Sequence, residues 1–160
     1  MDTLTIRPVG DADLPLLDAA LRALSDDLGD IHLAGITALR AAGCGPCPAF
    51  HALLALRGSD VLGAVMFSPV FSTSRGMAGL HVSDLWVSST TRGAGLGRRL
   101  LAAAGARGRA HWGAGYLRLD VYDSSPDAQR FYDTLGLAPI TGQQTLALSG
   151  AGFDRLTGEA

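Results

Sequence analysis

Residues 92–97 read Arg-Gly-Ala-Gly-Leu-Gly and separate an apolar segment from a long stretch rich in Ala and Leu. With a strand before it and a helix after it, this loop ends at a helix N-terminus, where unpaired N–H groups and the positive end of the helix dipole converge. Glycine lets the backbone approach an anion without a clash, and Arg92 adds a side-chain cation. The loop therefore predicts a phosphate or pyrophosphate site. The alternative is that a tight strand-to-helix connection needs glycine for its geometry alone.

Two common phosphate-binding loops do not fit this segment. A P-loop would continue with Gly-Lys-Ser or Gly-Lys-Thr, and the chain contains no lysine. A dinucleotide-binding loop would open the first strand–helix unit and be followed by an acidic residue for the ribose. Residues 92–97 instead lie beyond the middle of the 160-residue chain.

The loop belongs to one of two linked motifs. The first is Leu85-Trp86-Val87, four polar residues and then the loop, and the second is Ala128 to Tyr132 followed by Leu135-Gly136-Leu137. In this order and at this separation they resemble the GNAT superfamily of acetyl-CoA-dependent N-acetyltransferases. The resemblance implies acetyl-CoA as the co-substrate. It also implies the following cofactor-binding residues: Leu85, Trp86, Val87, Arg92, Gly93, Ala94, Gly95, Leu96, Gly97, Arg98, Ser125 and Tyr132.

Acetyl transfer of this type needs few side chains. The departing CoA thiolate must be protonated, and a phenol, which titrates near ~10, can deliver a proton to a thiol, which titrates near ~8.5. Tyr132 is the candidate for this catalytic role, and a core aromatic on a helix stripe is the alternative. A backbone N–H around Trp86 or Val87 would hold the thioester oxygen. Ser125 would contact the cofactor or cap a helix.

The amine must attack unprotonated, and the candidates for its base are Asp84, His81, Asp120 and water chains ending on them. Asp84 is the preferred catalytic residue because it lies at an irregularity of its strand, facing the expected cleft; local solvation of its carboxylate is the alternative. Residues 48–140 look like the diamine and thialysine acetyltransferases, which typically present Glu-Asp where this chain has Ser83-Asp84. We expect Ser83, Asp84 and His81 to contact the substrate.

The missing acidic residue weakens a polyamine assignment. The expected acceptor is therefore a primary amine of a small molecule or an amino-acid-like molecule, with long polyamines as poor substrates. A non-enzymatic acetyl-CoA-binding module on the same fold is the alternative function.

The segment Cys44-Gly45-Pro46-Cys47 matches the thioredoxin redox motif. In thioredoxins it follows a strand and opens a long helix. Here it follows a predicted helix, and Pro48 leads towards a strand. The pattern favours a loop with two thiols, and whether they form a disulfide is left open. We expect no metal site, since no second cysteine pair or histidine pattern supplies ligands.

The predicted elements give an α/β (α+β) domain. Leu4 and Ile6 mark a strand, Asp11 caps a helix, 31–42 holds a second helix, and 50–56 and 61–71 form a hairpin. The apolar phase slips between Val82 and Leu85, which predicts a β-bulge. Further elements are a strand over 116–122, a helix from about Ser125 and a last strand over 141–148. The fold expected is a single GNAT-like domain over residues 1–160. Its mixed sheet has about six to seven strands, with a bulged, splayed central strand and flanking helices.

Composition sets broad limits. The chain is 48% hydrophobic with a formal net charge of −2, which suits a globular protein and gives no nucleic-acid footprint or polybasic membrane patch. No apolar run reaches the length of a membrane span and no signal-peptide pattern is present, so a cytoplasmic location is expected. The expected partner is the small-molecule amine, with neither nucleic acid nor membrane. The oligomeric state is left open, with a homodimer among the states considered.

Overall fold

The computed structural model describes residues 3–159. The elements in chain order are β1 (Leu4–Pro8), α1 (Leu14–Leu28), α2 (Ile36–Gly43), β2 (His51–Arg57), β3 (Asp60–Ser72), β4 (Met77–Val87), α3 (Leu96–Trp112), β5 (Tyr116–Leu119), α4 (Pro126–Thr134) and α5 (Ala151–Thr157). Short 3-10 turns precede α1 and α3. The chain divides into two compact units, one ending at Tyr122 and the other beginning at Asp123. The expectation of a single domain stays a prediction.

The five strands form one mixed sheet in the order β1-β2-β3-β4-β5. The pairs β1–β2, β2–β3 and β3–β4 are antiparallel, and the pair β4–β5 is parallel. The mixed α/β fold is thus as predicted, but the described residues form five strands rather than six to seven. The predicted strand over 141–148 is irregular. An alternating apolar pattern is not enough to form a strand, because a strand must also pair with the edge of another strand.

The core lies on both faces of the sheet. On one face α1 packs its buried stripe of leucines and alanines against β2 and β3. The members of this cluster include Leu14, Leu17, Ala20, Leu21, Leu54, Leu56 and Ala64. On the other face α3 approaches so closely that a Cβ on Gly63 would lie 2.8 Å from Leu100, and one on Gly108 would lie 2.7 Å from Leu80. Central strand β3 is therefore apolar on both sides, as its sequence predicts.

Three element ends differ from the prediction. Asp11 does not cap α1; it lies in a 3-10 turn and its carboxylate accepts a bond from Arg40 Nε at 2.7 Å. Helix α2 begins at Ile36 rather than residue 31, and the preceding Ile31 and Leu33 are exposed. The apolar pattern overextends α2 because it does not indicate where the chain leaves the core. Strand β5 ends at Leu119 rather than residue 122.

No helix within residues 3–159 combines the length and the apolar content that crossing a bilayer requires.

Candidate active site

The bulge predicted from the apolar phase is present in β4. Met66 of β3 pairs with Asp84, but the next residue, Phe67, pairs with Val82, so Ser83 is the extra residue. Because side chains alternate along a strand, one inserted residue moves all later side chains to the opposite face. Asp84 and Trp86 consequently lie on the face that α1 covers, where Trp86 packs against the α1 core cluster.

Strand β4 loses one neighbour at the same point. Its parallel pairing with β5 runs only from Gly79 to Val82, opposite Tyr116 to Leu119. Beyond the bulge, β4 continues to Val87 in pairing with β3 alone among the described strands. The edge of β4 that faces away from β3 thus carries backbone groups that no strand within residues 3–159 pairs with. We call this unpaired edge of β4, from Ser83 to Val87, the wedge. Strand β5 ends early because its pairing with β4 stops at the bulge.

The glycine loop connects the wedge to α3. Gly93 and Gly95 have φ angles of 79° and 77°, in the left-handed region that favours glycine. A Cβ at either position would meet nothing within 4 Å, so the backbone conformation, not crowding, requires glycine. Gly95 is the N-cap of α3 and no side chain caps it. The first intrahelical bond comes from Arg99 N to Gly95 O, which leaves the N–H groups of residues 96–98 free for an anion.

The two arginines of this segment differ in their surroundings. Arg92 donates from Nε to the Val87 carbonyl at 3.0 Å, and its Nη2 pairs with Asp27 near the end of α1. Its charge is therefore shared with a carboxylate, and the pair links α1 to the loop. Arg98, in the first turn of α3, is exposed and has no ion-pair partner within residues 3–159. It is the less neutralised of the two cations predicted to bind the cofactor.

Titratable side chains lie on β4 just before the bulge and on the chain just after the end of β5. The Nε2 atom of His81 lies 3.9 Å from Asp120 Oδ2, and its Nδ1 is buried with no hydrogen-bond partner in the described part of the chain. The Tyr122 hydroxyl donates to Asp30 Oδ2 at 2.9 Å. This bond and the charge of Asp30, then burial and the charge of Asp84, raise the pKa of Tyr122.

Asp30 and Tyr122 carry no motif, and sequence reasoning missed them. The predicted substrate residues His81, Ser83 and Asp84 are together on β4, but Ser83 is exposed at the bulge and donates weakly to the Met66 carbonyl at 3.4 Å. The arrangement therefore offers a donor-rich helix N-terminus at one end and carboxylates at the other, with unpaired strand edge between them.

The model of the acetyltransferase (GNAT) family matches residues 21–137. The chain belongs to this family. It is an N-acetyltransferase, and the bulged strand and the glycine loop follow one another as the first of the two sequence motifs predicts.

Individual relatives agree with the family. The chain is 27% identical to a thialysine N-epsilon-acetyltransferase from Sus scrofa over 172 aligned positions that span 99% of this chain and 100% of that protein. Its fold is similar to that of an integron cassette protein from V. cholerae, with a TM-score of 0.77, 21% identity and coverage of 96% and 97% of the two chains. An aminoglycoside acetyltransferase from an uncultured soil metagenomic sample gives a TM-score of 0.72 at 16% identity, covering 92% and 95%. These likenesses show a GNAT fold.

The second GNAT motif lies on α4. Ala128, Phe131, Tyr132 and Leu135 share one half-buried face of the helix region, in the stripe that their spacing predicts. The centroids of the Phe131 and Tyr132 rings are 5.1 Å apart, and the two ring planes are tilted by 53°. Burial raises the pKa of Tyr132, so its phenol holds its proton more firmly than a solvated tyrosine. Ser125 precedes the helix, but its hydroxyl makes no capping hydrogen bond, so capping does not account for it here.

The Cys44-Gly45-Pro46-Cys47 segment is a loop between α2 and β2, in the place predicted. It follows the C-terminal end of α2, and a bond of 2.7 Å from Ala49 N to Ala42 O closes the turn around it. Cys44 is partly buried, Cys47 is exposed, and both thiols are free. Since neither cysteine opens a helix, the arrangement that activates the thioredoxin thiol is not reproduced.

Proposed function

We propose that this GNAT protein transfers the acetyl group of acetyl-CoA to a primary amine of a small or amino-acid-like molecule. One observation carries the proposal most directly. The β4–β5 pairing stops at the Ser83 bulge, and the unpaired remainder of β4 leads through the glycine loop to the α3 N-terminus with its free N–H groups. A long, thin molecule with phosphates at one end and a reactive thioester at the other fits that combination.

The anion-binding part of the proposal rests on the α3 N-terminus. The N–H groups of residues 96–98 and the helix dipole attract the pyrophosphate, and the positive-φ turns at Gly93 and Gly95 bring the backbone close to it. Arg98, which has no ion-pair partner within residues 3–159, adds a further cation, whereas Arg92 would exchange part of its contact with Asp27 for the phosphates.

The chemical step is direct attack. The amine nitrogen bonds to the thioester carbonyl carbon, the C–S bond breaks, the amine loses a proton and the CoA sulfur gains one. An N–H on the unpaired edge of β4, around Trp86 to Val87, stabilises the oxyanion. Asp84 binds the ammonium form of the acceptor and accepts its proton through water. Tyr132, assigned from its motif, protonates the thiolate; the raised pKa of its phenol keeps it in the proton-donating form at neutral pH.

The experiment is a panel of primary amines incubated with acetyl-CoA, with release of free thiol as the readout and a reaction without acceptor as the control for hydrolysis. We expect acceptor-dependent thiol release for small amines. Asp84→Asn should raise the acceptor KM or shift the pH–rate profile upward, because it removes the negative charge that receives the ammonium group. Acetyl-CoA binding by calorimetry without acceptor-dependent release from any amine would contradict the proposal and support a CoA-binding module.

A further inference from the structure

The loop between α2 and β2 holds two thiols that the proposed acetyl transfer does not use. Both Cys44 and Cys47 are free. The Ala49 N–H donates to the Ala42 carbonyl at 2.7 Å, which closes the loop, and the chain bends at each of residues 44–47 between them. Each cysteine is two positions inside one end of the closed loop. The cysteines therefore belong to its opposite arms, at the spacing of the pairs that interconvert between dithiol and disulfide.

Cys44 also lines a small cleft that a cation enters from α3. The cleft has a volume of about 60 Å³, and most of its wall is apolar, as at Val9 and Phe50. Besides the thiol, its side chains with polar atoms are those of His51, at the start of β2, and Arg107 of α3. Arg107 is half-buried and has neither an ion-pair nor a hydrogen-bond partner within residues 3–159. Its guanidinium has thus lost part of its hydration without gaining a partner, and a carboxylate entering the cleft would supply one.

His51 is held in place beside this cation. Its ring centroid lies 6.0 Å from that of Phe67 and 4.9 Å from that of Trp112. Burial, and then the positive charges of Arg107 and His111, lower the pKa of His51, so its imidazole is neutral at neutral pH and offers one N–H donor. The cleft therefore combines a thiol with a cation and a hydrogen-bond donor, which together favour a reactant that carries a negative charge.

We propose that Cys44 and Cys47 form a thiol–disulfide exchange site for small disulfides that carry carboxylates, the class of glutathione disulfide. Arg107 and His51 bind a carboxylate of this oxidant, a part that a helix N-terminus plays in thioredoxin-like sites. The Cys44 thiolate attacks one sulfur of the oxidant, whose S–S bond breaks and releases a first thiol. Cys47 then attacks the Cys44 sulfur, releases the second thiol and closes an internal disulfide. The two cysteines lose two electrons and two protons, which leave with the two released thiols.

The test treats the reduced protein with three disulfides of different charge: anionic glutathione disulfide, neutral hydroxyethyl disulfide and cationic cystamine. Intact-mass measurements over time should show the native protein losing two hydrogens with glutathione disulfide. Cys47→Ser should stop at a mixed disulfide, and Cys44→Ser should react more slowly, because Cys47 is exposed and does not line the cleft. Arg107→Gln should slow the reaction with glutathione disulfide by about five-fold, the upper range for a solvent-exposed ion pair, and leave the rate with the neutral disulfide unchanged. Arg107→Lys keeps the charge and should keep most of the rate.

The matched control is Arg109→Gln, the same charge change on α3 at an exposed arginine that does not line the cleft. It should leave the rates with all three disulfides unchanged. Failure of the native protein to form an internal disulfide, or equal rates for Cys44→Ser and Cys47→Ser, would overturn the exchange site. An equal effect of Arg107→Gln on all three disulfides would overturn the preference for carboxylates. None of these reactions involves acetyl-CoA or an amine, so the outcome is independent of the proposed acetyl transfer.

Discussion

At the scale of single residues, the proposed acid Tyr132 gives a direct test. Tyr132→Phe keeps the ring and its packing beside Phe131 but deletes the proton donor. We expect kcat to fall by about 10²-fold with little change in the acetyl-CoA Kd, as for loss of a general acid. Steady-state kinetics and calorimetry on the same preparations would separate the two effects.

A suitable control is Tyr116→Phe. This tyrosine begins β5, and its ring lies under the Arg75 guanidinium, 4.9 Å from the ring centroid, in a contact that does not need the hydroxyl. The activity of the Tyr116→Phe variant should match that of the native protein. If Tyr132→Phe were equally active, the thiolate would be taking its proton from water.

At the scale of elements, the sequence predicted the local structure correctly wherever a local rule decides it. The slip of apolar phase between Val82 and Leu85 identifies the bulge because a strand has a side-chain period of two, so one inserted residue must reverse the faces. A helix after the glycine loop was also predicted, although α3 begins at Leu96, within the segment predicted as loop over 92–97. The irregular 141–148 segment and the early end of β5 were not, because both depend on whether a neighbouring strand is present.

The junction of β1 and α1 carries a pH-dependent contribution to stability. Asp13 accepts bonds from both terminal nitrogens of Arg7 at 2.7 Å and from Gly10 N at 2.9 Å. The Arg7 guanidinium, with the Gly10 N–H, lowers the pKa of Asp13 from 3.8 to about 2. A carboxyl whose folded pKa is depressed stabilises the fold above its unfolded pKa, and this contribution is lost as pH falls from about 4 towards 2.

Asp13→Asn should therefore lower the free energy of unfolding by about 1–2 kcal/mol at pH 7, a value discounted for the partly exposed guanidinium. The difference from the native protein should shrink steadily below pH 4. Urea unfolding at a series of pH values would measure it. Asp26→Asn is the control, because the Asp26 carboxylate has no ion-pair partner within residues 3–159. A difference that stayed constant down to pH 2 would assign the loss to something other than the ion pair.

At the scale of the whole molecule, the candidate site includes contacts that no local pattern encodes. Asp30 and Tyr122 are 92 positions apart and form one hydrogen bond, and Asp27 and Arg92 are 65 apart. Neither pair has a spacing, a motif or a periodicity that identifies it. Only the packing of α1 across the ends of β4 and β5 brings these residues together. Local sequence patterns therefore predicted the bulge and the glycine loop, but not these long-range contacts.

Binding of acetyl-CoA should stabilise the whole fold, since a ligand selective for the native state shifts the unfolding equilibrium. At about 100 times its Kd the gain is about 2.7 kcal/mol, which raises Tm by roughly 5–10 °C for a chain of this size. Gly95→Glu places bulk and negative charge at the anion site and should abolish the gain. Thermal unfolding with and without ligand gives the measurement.

The variant needs a control for backbone strain, and α3 itself provides one. Gly113 ends the same helix with φ of 65°, and like Gly95 it has open space where a Cβ would lie. Gly113→Glu thus imposes a similar left-handed strain at the opposite end, far from the N–H groups of residues 96–98. Both variants should unfold at lower temperature without ligand, but only Gly113→Glu should keep the full shift with acetyl-CoA. An undiminished shift in Gly95→Glu would show that the phosphates bind elsewhere than at the α3 N-terminus.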